Sequence, residues 1–422
     1  MEYLRKDEFV ERTCDKPHYP YELPKGWCWT TLGDIAESNI GLTYKPSDIC
    51  LDGIPVYRSN NIKNGHIDLS DVVRVNTKIL EKQFLNEGDL LICARNGSRR
   101  LVGKNAIISQ LDGPAAFGAF MAVCRSSYNP WICLVLNTTY FDRYLDDSNS
   151  ATINQVTQSM LLAFPVPFPP KNEQDRIINE VAQLESVIAN INDNIDCLNT
   201  VIKQTKSKIL NLAIHGKLVP QDPTDEPAYE LLKRINPKAE ITCDNPQYGK
   251  LPNGWCETLL GNIGTWQSGA TPSRLRKEYY GGSIPWLKTG DLNDGIVQSI
   301  PECITERALE ETSVKLNPAG SILIAMYGAT IGRIGILSKP ATTNQACCAC
   351  VDYLPEKKFL FYFLLANREN FIAMGGGGAQ PNISKEKIIH THIPLPPQQE
   401  QQRIVAKIEE LFAQLDNITS SL

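Results

Sequence analysis

The segment Leu23-Pro24-Lys25-Gly26-Trp27-Cys28 returns later in the chain as Leu251-Pro252-Asn253-Gly254-Trp255-Cys256. Near the end of each copy, Glu173-Gln174-Asp175-Arg176-Ile177 matches Glu400-Gln401-Gln402-Arg403-Ile404 at nearly the same displacement. A period of this length is too long for a solenoid and indicates a duplicated domain. The matching landmarks between these ends are Gly33–Ile35 with Gly261–Ile263, Ile54–Pro55 with Ile284–Pro285, Leu85–Asn86 with Leu316–Asn317, Asn154 with Asn382, and Val166–Pro170 with Ile393–Pro397.

The repeat continues around the ends of the chain. Cys14-Asp15-Lys16-Pro17 resembles Cys243-Asp244-Asn245-Pro246, so residues 1–19 match the segment between the two copies. We interpret residues 1–19 as an N-terminal tail that completes a circular arrangement of two similar units.

A heptad stripe follows the first Pro-Pro step. Its apolar positions alternate in steps of four and three residues, with Thr205 as the one polar member. This spacing predicts a long coiled-coil helix over residues 171–216, which ends at the glycine of His215-Gly216. The seam positions are Ile177, Val181, Leu184, Ile188, Ile191, Ile195, Leu198, Ile202, Thr205, Ile209 and Leu212.

The second copy carries a shorter stripe of the same phase. It predicts a second coiled-coil helix over residues 398–422, and the first helix is its natural antiparallel partner because a heptad stripe must be covered. The alternative is that each helix packs only on its own globular domain. The positions of this stripe are Ile404, Ile408, Leu411, Leu415, Ile418 and Leu422.

The remaining chain predicts two globular domains, residues 20–170 and 249–397, and a linker, residues 217–248, that carries one short helix. Within the domains, short β-branched and aromatic runs alternate with turns rich in Gly, Asn, Asp and Pro. The fold class is therefore α+β: two repeated mixed α/β domains with curved sheets, separated by two long antiparallel coiled-coil helices.

The charge of the chain is divided unequally between these parts. The whole sequence has 42 Lys and Arg against 47 Asp and Glu, a net charge of −5. The tail, helices and linker carry −6 and the two globular domains carry +1. The acidity therefore belongs to the helical scaffold and does not argue against a nucleic-acid partner of the globular domains.

No catalytic or metal-binding motif is present in the sequence. It contains no phosphate-binding G-x-x-x-x-G-K-[ST], no G-x-S-x-G, no H-E-x-x-H, and no Asn-Pro-Pro-Tyr or Asp-Pro-Pro-Tyr for a flipped base. Cys347 and Cys350 have C-x-x-C spacing without a second pair, so a buried strand is favoured over a metal site. The odd number of cysteines, 13, and the charged first residues predict a reduced, cytoplasmic protein without a membrane span.

The chain resembles the specificity (S) subunits of type I restriction–modification systems. The resemblance is carried by the Leu-Pro-x-Gly-Trp that opens each globular domain, by Pro394–Ile404, and by Ala213–Ala228, which is similar to a typical central segment of that family. Thr271-Pro272-Ser273 with Gly282–Lys288 also resembles the start of a target recognition domain. The chain departs from the family pattern in its second helix, which is short.

The resemblance implies that residues 20–170 and 249–397 are target recognition domains. Each would read half of a bipartite, asymmetric sequence in double-stranded DNA, and the helices would measure the spacer. It also implies two methylation subunits and motor–nuclease subunits as partners. The cofactors S-adenosylmethionine, ATP and Mg are expected on those partners, so this chain would be no enzyme and bind none of them itself.

Basic residues in polar loops are our candidates for the DNA contacts, because Arg, Lys and Asn suit phosphates and base edges. The alternative for each cluster is a solvated surface loop. The candidates are Arg95, Asn96, Arg99, Arg100 and Lys104 in the first domain and Arg274, Arg276, Lys277, Lys288 and Arg333 in the second.

Two other functions fit the sequence. A coiled-coil scaffold or adaptor protein would use the helices and would need no basic loops. A specificity subunit of a methylation-only phage-defence complex would differ in its partners and not in its sequence.

Overall fold

The computed structural model describes residues 21–148, 154–239, 241, 244–245, 248–353, 356–376 and 382–422. The chain divides into two compact units, residues 1–190 and 191–422. The predicted tail, residues 1–19, lies outside the described residues.

The first unit is a mixed α/β domain followed by the start of a long helix. Its strands are β1 Cys28–Thr31, β2 Glu37–Ile40, β3 Ile49–Tyr57, β4 Ile62–Lys63, β5 His66–Ile67, β6 Val73–Val75, β7 Leu90–Cys93, β8 Asn105–Ile107, β9 Ala116–Phe117, β10 Met121–Arg125 and β11 Pro165–Phe168. Its helices are α1 Leu32–Ile35, α2 Asn129–Leu136, α3 Thr139–Ser148, α4 Gln158–Leu162 and α5 Lys171–Ile214.

The main sheet of the first unit has four antiparallel strands in the order β2-β10-β7-β8. A smaller sheet has the order β6-β3-β9, in which β3 and β9 run parallel. Successive side chains of a strand point to opposite faces. Leu90 and Ile92 therefore enter a core with helices α2 and α3, whereas Leu91 and Cys93 enter a second core on the other face.

The second unit repeats this order of elements. Its strands are β12 Asp244–Asn245, β13 Gly249–Lys250, β14 Cys256–Leu259, β15 Gly264–Ser268, β16 Tyr280–Leu287, β17 Gly295–Val297, β18 Cys303–Ile304, β19 Ile322–Ala325, β20 Ile334–Leu337, β21 Thr342–Thr343, β22 Cys347–Tyr353 and β23 His392–Leu395. Its helices are the end of α5, then α6 Ala228–Ile235, α7 Leu260–Ile263, α8 Glu306–Glu311, α9 Lys357–Ala366, α10 Arg368–Met374, α11 Lys385–Ile389 and α12 Gln398–Ser420.

The sheets of the two units correspond strand by strand. The order β15-β22-β19-β20 matches β2-β10-β7-β8, with β17 added at the edge. The order β18-β16-β21 matches β6-β3-β9, including its parallel pair. The predicted class, two repeated mixed α/β domains with a long helix, is therefore confirmed.

Helix α5 is continuous over 44 residues, and its end runs antiparallel to α12 in the second unit. The Lys206 Nζ lies 2.5 Å from Asp416 Oδ1, and Gln221, just beyond α5, donates to Glu400 at 3.2 Å. Rising numbers on one segment meet falling numbers on the other, which fixes the antiparallel direction. None of the described helices has the length and apolar character that a membrane span requires.

The seam residues of α5 differ in burial along the helix. Leu184, Ile188 and Ile191 are 54%, 57% and 52% exposed, whereas Ile177 packs against the core of the first unit. Val181, Ile195 and Leu198 are half-buried and Ile202 is buried. Because α12 has 23 residues and α5 has 44, α12 is long enough for only about half of the stripe.

The seam of α12 is covered more completely. Ile404 and Ile408 are fully buried in the large core of the second unit, and Leu411 and Leu415 pack against its edge. This core also includes Ile209 of α5.

Glu400 connects motifs that lie far apart in the sequence. It is 1% exposed, and its carboxylate accepts hydrogen bonds from Trp255 Nε1 at 3.0 Å and from Gln221 Nε2 at 3.2 Å. One turn later, Arg403 forms an ion pair of 2.6 Å with the nearly buried Asp225. The Leu-Pro-x-Gly-Trp segment, the linker and α12 are thus joined at one buried point.

Candidate nucleic-acid interface

Polar loops of the first unit meet where strands β2, β3, β7 and β9 end. The Leu42 N–H donates to Phe117 O at 2.7 Å, and the Arg95 N–H donates to Phe120 O at 3.0 Å. These bonds hold the loops side by side. The loops are residues 41–45, 58–61, 94–98 and 118–120.

Arg58 begins the loop after β3. Its N–H donates to Asn61 Oδ1 at 2.9 Å, which closes the 3-10 turn Ser59–Asn61. Asn61 is fully buried, so the turn has a fixed base. Asn96 Nδ2 donates to Ser59 Oγ at 3.2 Å. The loop after β7 is therefore fastened to the loop after β3.

Phe120 is an exposed aromatic side chain among these polar loops. It is 60% exposed, and the Arg95 guanidinium lies 5.4 Å from its ring centroid, in cation–π contact. A cavity of about 520 Å³ lies beside it. The cavity is lined by Leu42, Thr43, Tyr44, Arg58, Ser59, Asn60, Gly118, Ala119, Phe120 and Met121.

The other predicted cations of the first unit have different surroundings. Arg99 is held by helix α3, since Nη2 lies 2.7 Å from Asp146 Oδ1 and donates to Asp142 O at 3.1 Å. Arg100 is exposed and Lys104 is half-buried, and neither side chain has a partner among the described residues. The Arg99 guanidinium is thus occupied by contacts within the domain, whereas the side chains of Arg100 and Lys104 are free to contact a ligand.

The second unit brings the corresponding loops together in the same way. The Ala270 N–H donates to Thr343 O at 3.0 Å, and the Asn344 N–H donates to Leu287 O at 2.9 Å. Lys288 takes the place of Arg58, because its N–H donates to Asp291 Oδ2 at 2.8 Å and begins an equivalent 3-10 turn. The loops are residues 269–276, 288–291, 326–330 and 344–346.

Arg274 and Lys288 share one carboxylate, that of Glu302. The Arg274 guanidinium binds both Glu302 oxygens, and Lys288 Nζ binds Oε2. The guanidinium also lies 4.3 Å from the Tyr280 ring centroid and 5.0 Å from that of Trp286. Hydrogen bonds from Arg274, then from Lys288, hold the pKa of Glu302 below its ordinary value, so the carboxylate is charged at neutral pH.

Arg276 is engaged on the other side of its loop. It bonds to the Tyr279 hydroxyl and forms an ion pair of 3.2 Å with Glu311. The neighbouring Lys277 and, on another loop, Arg333 are exposed and have no side-chain partner among the described residues. The structure thus brings Arg274 and Lys288 together and leaves Lys277 and Arg333 apart from that pair.

Arg333 and Lys104 occupy equivalent positions. The Arg333 carbonyl accepts from the Ala325 N–H at 2.8 Å, and the Lys104 carbonyl accepts from the Cys93 N–H at 2.8 Å. In both units a basic residue therefore follows the tight turn that precedes β8 or β20, and it pairs with the end of β7 or β19.

Sequence reasoning missed four prominent residues of these surfaces. Arg58 could have been found, because the displacement that relates Ile54 to Ile284 also relates Arg58 to Lys288. Trp286 lies in the Gly282–Lys288 segment that resembles a target recognition domain, but its contacts with the two cations could not be read from that resemblance. Phe120 and Glu302 carried no sequence signal, since exposure and pairing across strands depend on the folded chain.

The structure also shows the surroundings of the clustered cysteines and of His392. Cys347, Cys348 and Cys350 are buried on β22, and burial raises the pKa of the Cys348 and Cys350 thiols to about 12. The His392 ring lies 2.5 Å from the buried Glu257 carboxylate. Among the described residues, no group of three or more His, Cys, Asp or Glu side chains could hold a metal ion.

Comparison with protein families identifies both copies. The family described as the type I restriction modification DNA specificity domain matches residues 24–200 and 252–421. These two matches correspond to the two copies of the repeat.

Curated relatives give the same assignment. The EcoKI specificity subunit of Escherichia coli is 25% identical over 94% of this chain and 84% of its own length. The EcoAI specificity subunit of Escherichia coli is 26% identical over 93% of this chain and 78% of its own length. The EcoR124I/EcoR124II specificity subunit of Escherichia coli is 34% identical over 39% of this chain and 41% of its own length.

Two solved structures share the fold. A chain from a study of complex assembly and conformational transition of the type I R-M system has a TM-score of 0.64 at 18% identity, covering 95% of this chain and 94% of that one. The HsdS subunit from Thermoanaerobacter tengcongensis has a TM-score of 0.55 at 18% identity, covering 95% and 93%. With its two copies of the matched domain, the chain belongs to the type I restriction–modification DNA specificity family.

Proposed function

We propose that this chain is the DNA-recognition subunit of a type I restriction–modification complex, and that each globular domain reads one half of a bipartite, asymmetric target. One observation carries the proposal: a single scaffold occurs twice, and each copy presents a different set of Arg, Lys, Asn and Thr side chains on the same loops. Duplication accounts for two half-sites, and the different side chains account for their asymmetry.

The chemistry of the loops suits double-stranded DNA. Arg58, Arg100 and Lys104 in the first domain, and Lys277 and Arg333 in the second, offer cations at loop positions where a phosphate can approach. Asn60 and Thr43 add short hydrogen-bonding groups at the rim of the cavity in the first domain. Contacts to the DNA phosphates would fix the position of each domain along the duplex, and the side chains near the strand ends would contact base edges.

We further propose that the helices set the unread spacer and bind two methylation subunits. An apolar stripe in which Leu184, Ile188 and Ile191 are each more than half exposed is a surface that a partner helix would cover. In this proposal the methylation subunits supply S-adenosylmethionine chemistry and the motor–nuclease subunits use ATP with Mg. This chain supplies target recognition and no reacting group.

The proposal is tested by the adenine methylome of the host. We expect one bipartite, asymmetric motif to lose methylation when the gene is deleted and to regain it when the gene is restored. A methylome that does not change, in a host whose methylation subunit is active, would contradict the proposal. A coiled-coil adaptor would give that unchanged result.

The role of the helices needs a separate experiment. Ile202→Asp and Leu415→Asp would place a charge in the part of the seam where α5 and α12 pack, and we expect both to relax the preferred spacer length in the assembled methyltransferase. Asn190→Asp adds the same charge at an exposed polar position and is the matched control. If the seam variants keep the spacer preference of the control, the helices do not measure the spacer.

A further inference from the structure

Glu302 lies at the centre of a cluster of side chains in the second domain that has no counterpart among the described residues of the first. Its carboxylate binds Arg274 and Lys288, which come from the loop after β15 and the loop after β16. Two rings lie under the cations, since Arg274 lies over Tyr280 and Trp286, and Lys288 Nζ lies 5.6 Å from the Trp286 ring centroid. We name these five residues the Glu302 cluster.

The loop that carries Arg274 is fixed by the same rings. Trp286 is 2% exposed, and its Nε1 donates to Ala270 O at 3.1 Å. The Tyr280 hydroxyl donates to Pro272 O at 2.5 Å. The backbone before Arg274 is therefore anchored at two points, and the guanidinium position follows from it.

Stability does not explain this arrangement. The side chains of Arg274 and Lys288 are 54% and 45% exposed, and exposed ion pairs add little to folding stability. A carboxylate at a DNA-binding surface also repels phosphates and so weakens sequence-independent binding. A group that contributes little to stability and opposes general affinity is most useful if it orients its partners.

Orientation matters most for arginine. Arg and Lys side chains lose rotamer freedom when they bind, and fixing them beforehand removes that cost. Glu302 engages the two terminal nitrogens of Arg274, which leaves other N–H donors of the five for a ligand. A guanine edge in the major groove presents two acceptors, N7 and O6, which a fixed guanidinium matches.

We propose that Glu302 is a positioning residue for base recognition, and that it holds Arg274 and Lys288 to read a G·C pair in the half-site of the second domain. This inference rests on the proposed function and names the residue set and the base chemistry of one half-site. Arg274 makes the bidentate contact, Lys288 contributes charge beside it, and Glu302 acts through both.

The first domain has the same backbone scaffold but different side chains at the positions of the Glu302 cluster. The backbone pairing that places Glu302 opposite Trp286 places Val73 opposite Val56. Arg58, the counterpart of Lys288, lies 3.9 Å from Asp71 instead. The cluster is therefore an addition to the second domain and no requirement of the fold.

The test uses the chain assembled with its methylation subunits and a library of bipartite targets randomised in both half-sites. The variants are Arg274→Lys, which keeps the charge but loses the fork, and Glu302→Gln, which keeps the shape but loses the charge. We expect Arg274→Lys to lower discrimination at one G·C pair by about 10- to 100-fold. Glu302→Gln should lower discrimination at the same pair by a smaller factor, and Glu302→Asp should restore part of it.

Glu226→Gln is the matched control, because Glu226 binds the Arg234 guanidinium through both carboxylate oxygens, as Glu302 binds Arg274, and neither residue lies in a loop proposed to contact DNA. We expect it to leave base preference unchanged. Binding of unrelated DNA should not weaken in Glu302→Gln, because a negative charge has been removed. A purely structural role of Glu302 would lower the melting temperature and spare base preference.

The results separate the two proposals. If the wild-type assembly selects no sequence, the proposed function itself fails. If it selects a bipartite motif, but Arg274→Lys keeps full discrimination at every position, only the present inference is overturned. It is also overturned if Glu302→Gln alters a different position from Arg274→Lys, or if Glu226→Gln has the same effect.

Discussion

At one pair of equivalent positions the first domain has Val56 and Val73, and the second has Trp286 and Glu302. The backbone pairing is the same at both positions, so the exchange of side chains leaves the strand pairing unchanged. What changes is the set of contacts beneath the surface, since the buried Val56 and half-buried Val73 are replaced by a buried aromatic ring and a half-buried carboxylate that hold the cations Arg274 and Lys288. The scaffold and the recognition surface are thus specified by different residues.

A second contrast lies beside the central strand. The backbone of Arg95 pairs with that of Gln155 in an isolated β-bridge of the first domain, and the backbone of Tyr327 pairs with that of Asn382 at the equivalent position of the second. Phe120 is 60% exposed, while Ala346 is 8% exposed. The cation–π pair of one domain is therefore absent from the corresponding position of the other, and the two domains would not read the same bases.

The largest expected effect tests whether the two scaffolds are equivalent. Leu91 and Leu323 are fully buried on β7 and β19, so Leu91→Ala and Leu323→Ala should each lower the free energy of unfolding of their own domain by about 2–5 kcal/mol. Hydrogen exchange resolved by domain measures both. Lys82→Ala, an exposed position, is the control and should change little. Clearly unequal costs for the two leucines would break the comparison.

Two neighbouring arginines sharpen the division within the first domain. Arg99→Ala removes the ion pair with Asp146 on α3 and should lower domain stability by about 1 kcal/mol, with little change in the salt dependence of DNA binding. Arg100→Ala should leave domain stability nearly unchanged and reduce the salt dependence of DNA binding, because that side chain has no partner among the described residues. Thermal unfolding and binding at several salt concentrations measure the two quantities. Equal behaviour of both variants would contradict this assignment.

Lys104 and Arg333 test whether the domains share a phosphate contact. Each follows the same turn, so Lys104→Ala and Arg333→Ala should each reduce the slope of log affinity against log salt by about one. Base preference should stay as in the wild type, because a phosphate contact carries no sequence information. A change of slope in only one variant would show that the two domains approach DNA differently.

The smallest expected effect concerns Glu400, whose pKa is raised above its ordinary value because the carboxyl is buried. The folded protein then binds more protons than the unfolded chain above about pH 4.5, so this group makes stability fall as pH rises through that window. Glu400→Gln keeps an acceptor for Trp255 and removes the titration, so the variant should gain stability relative to the wild type as pH rises. Unfolding curves from pH 4.5 to 7 measure this. Glu410→Gln, at an exposed position of α12, is the control, and parallel curves for Glu400→Gln and the wild type would exclude the effect.

Much of the fold could be predicted from the sequence, for particular reasons. The displacement between Leu23 and Leu251 shows the duplication directly, and the spacing from Ile177 to Leu212 shows the long helix, because both are patterns of order along the chain. The seam could not be predicted in full, since the exposure of Leu184, Ile188 and Ile191 depends on how much helix lies opposite. The heptad pattern is the same where the stripe is covered and where it is not.

For the recognition surface, the sequence by itself determined which residue types are available in which loops, including Arg95, Arg274 and Lys288. Only the tertiary structure decided their state. Arg99 is bound by helix α3, from which three strands and another helix separate it along the chain, and Glu302 reaches Arg274 although strands β16 and β17 lie between them in the sequence. Charge and loop composition are local properties, whereas ion pairs and exposure depend on side chains that strand pairing brings together from distant parts of the sequence.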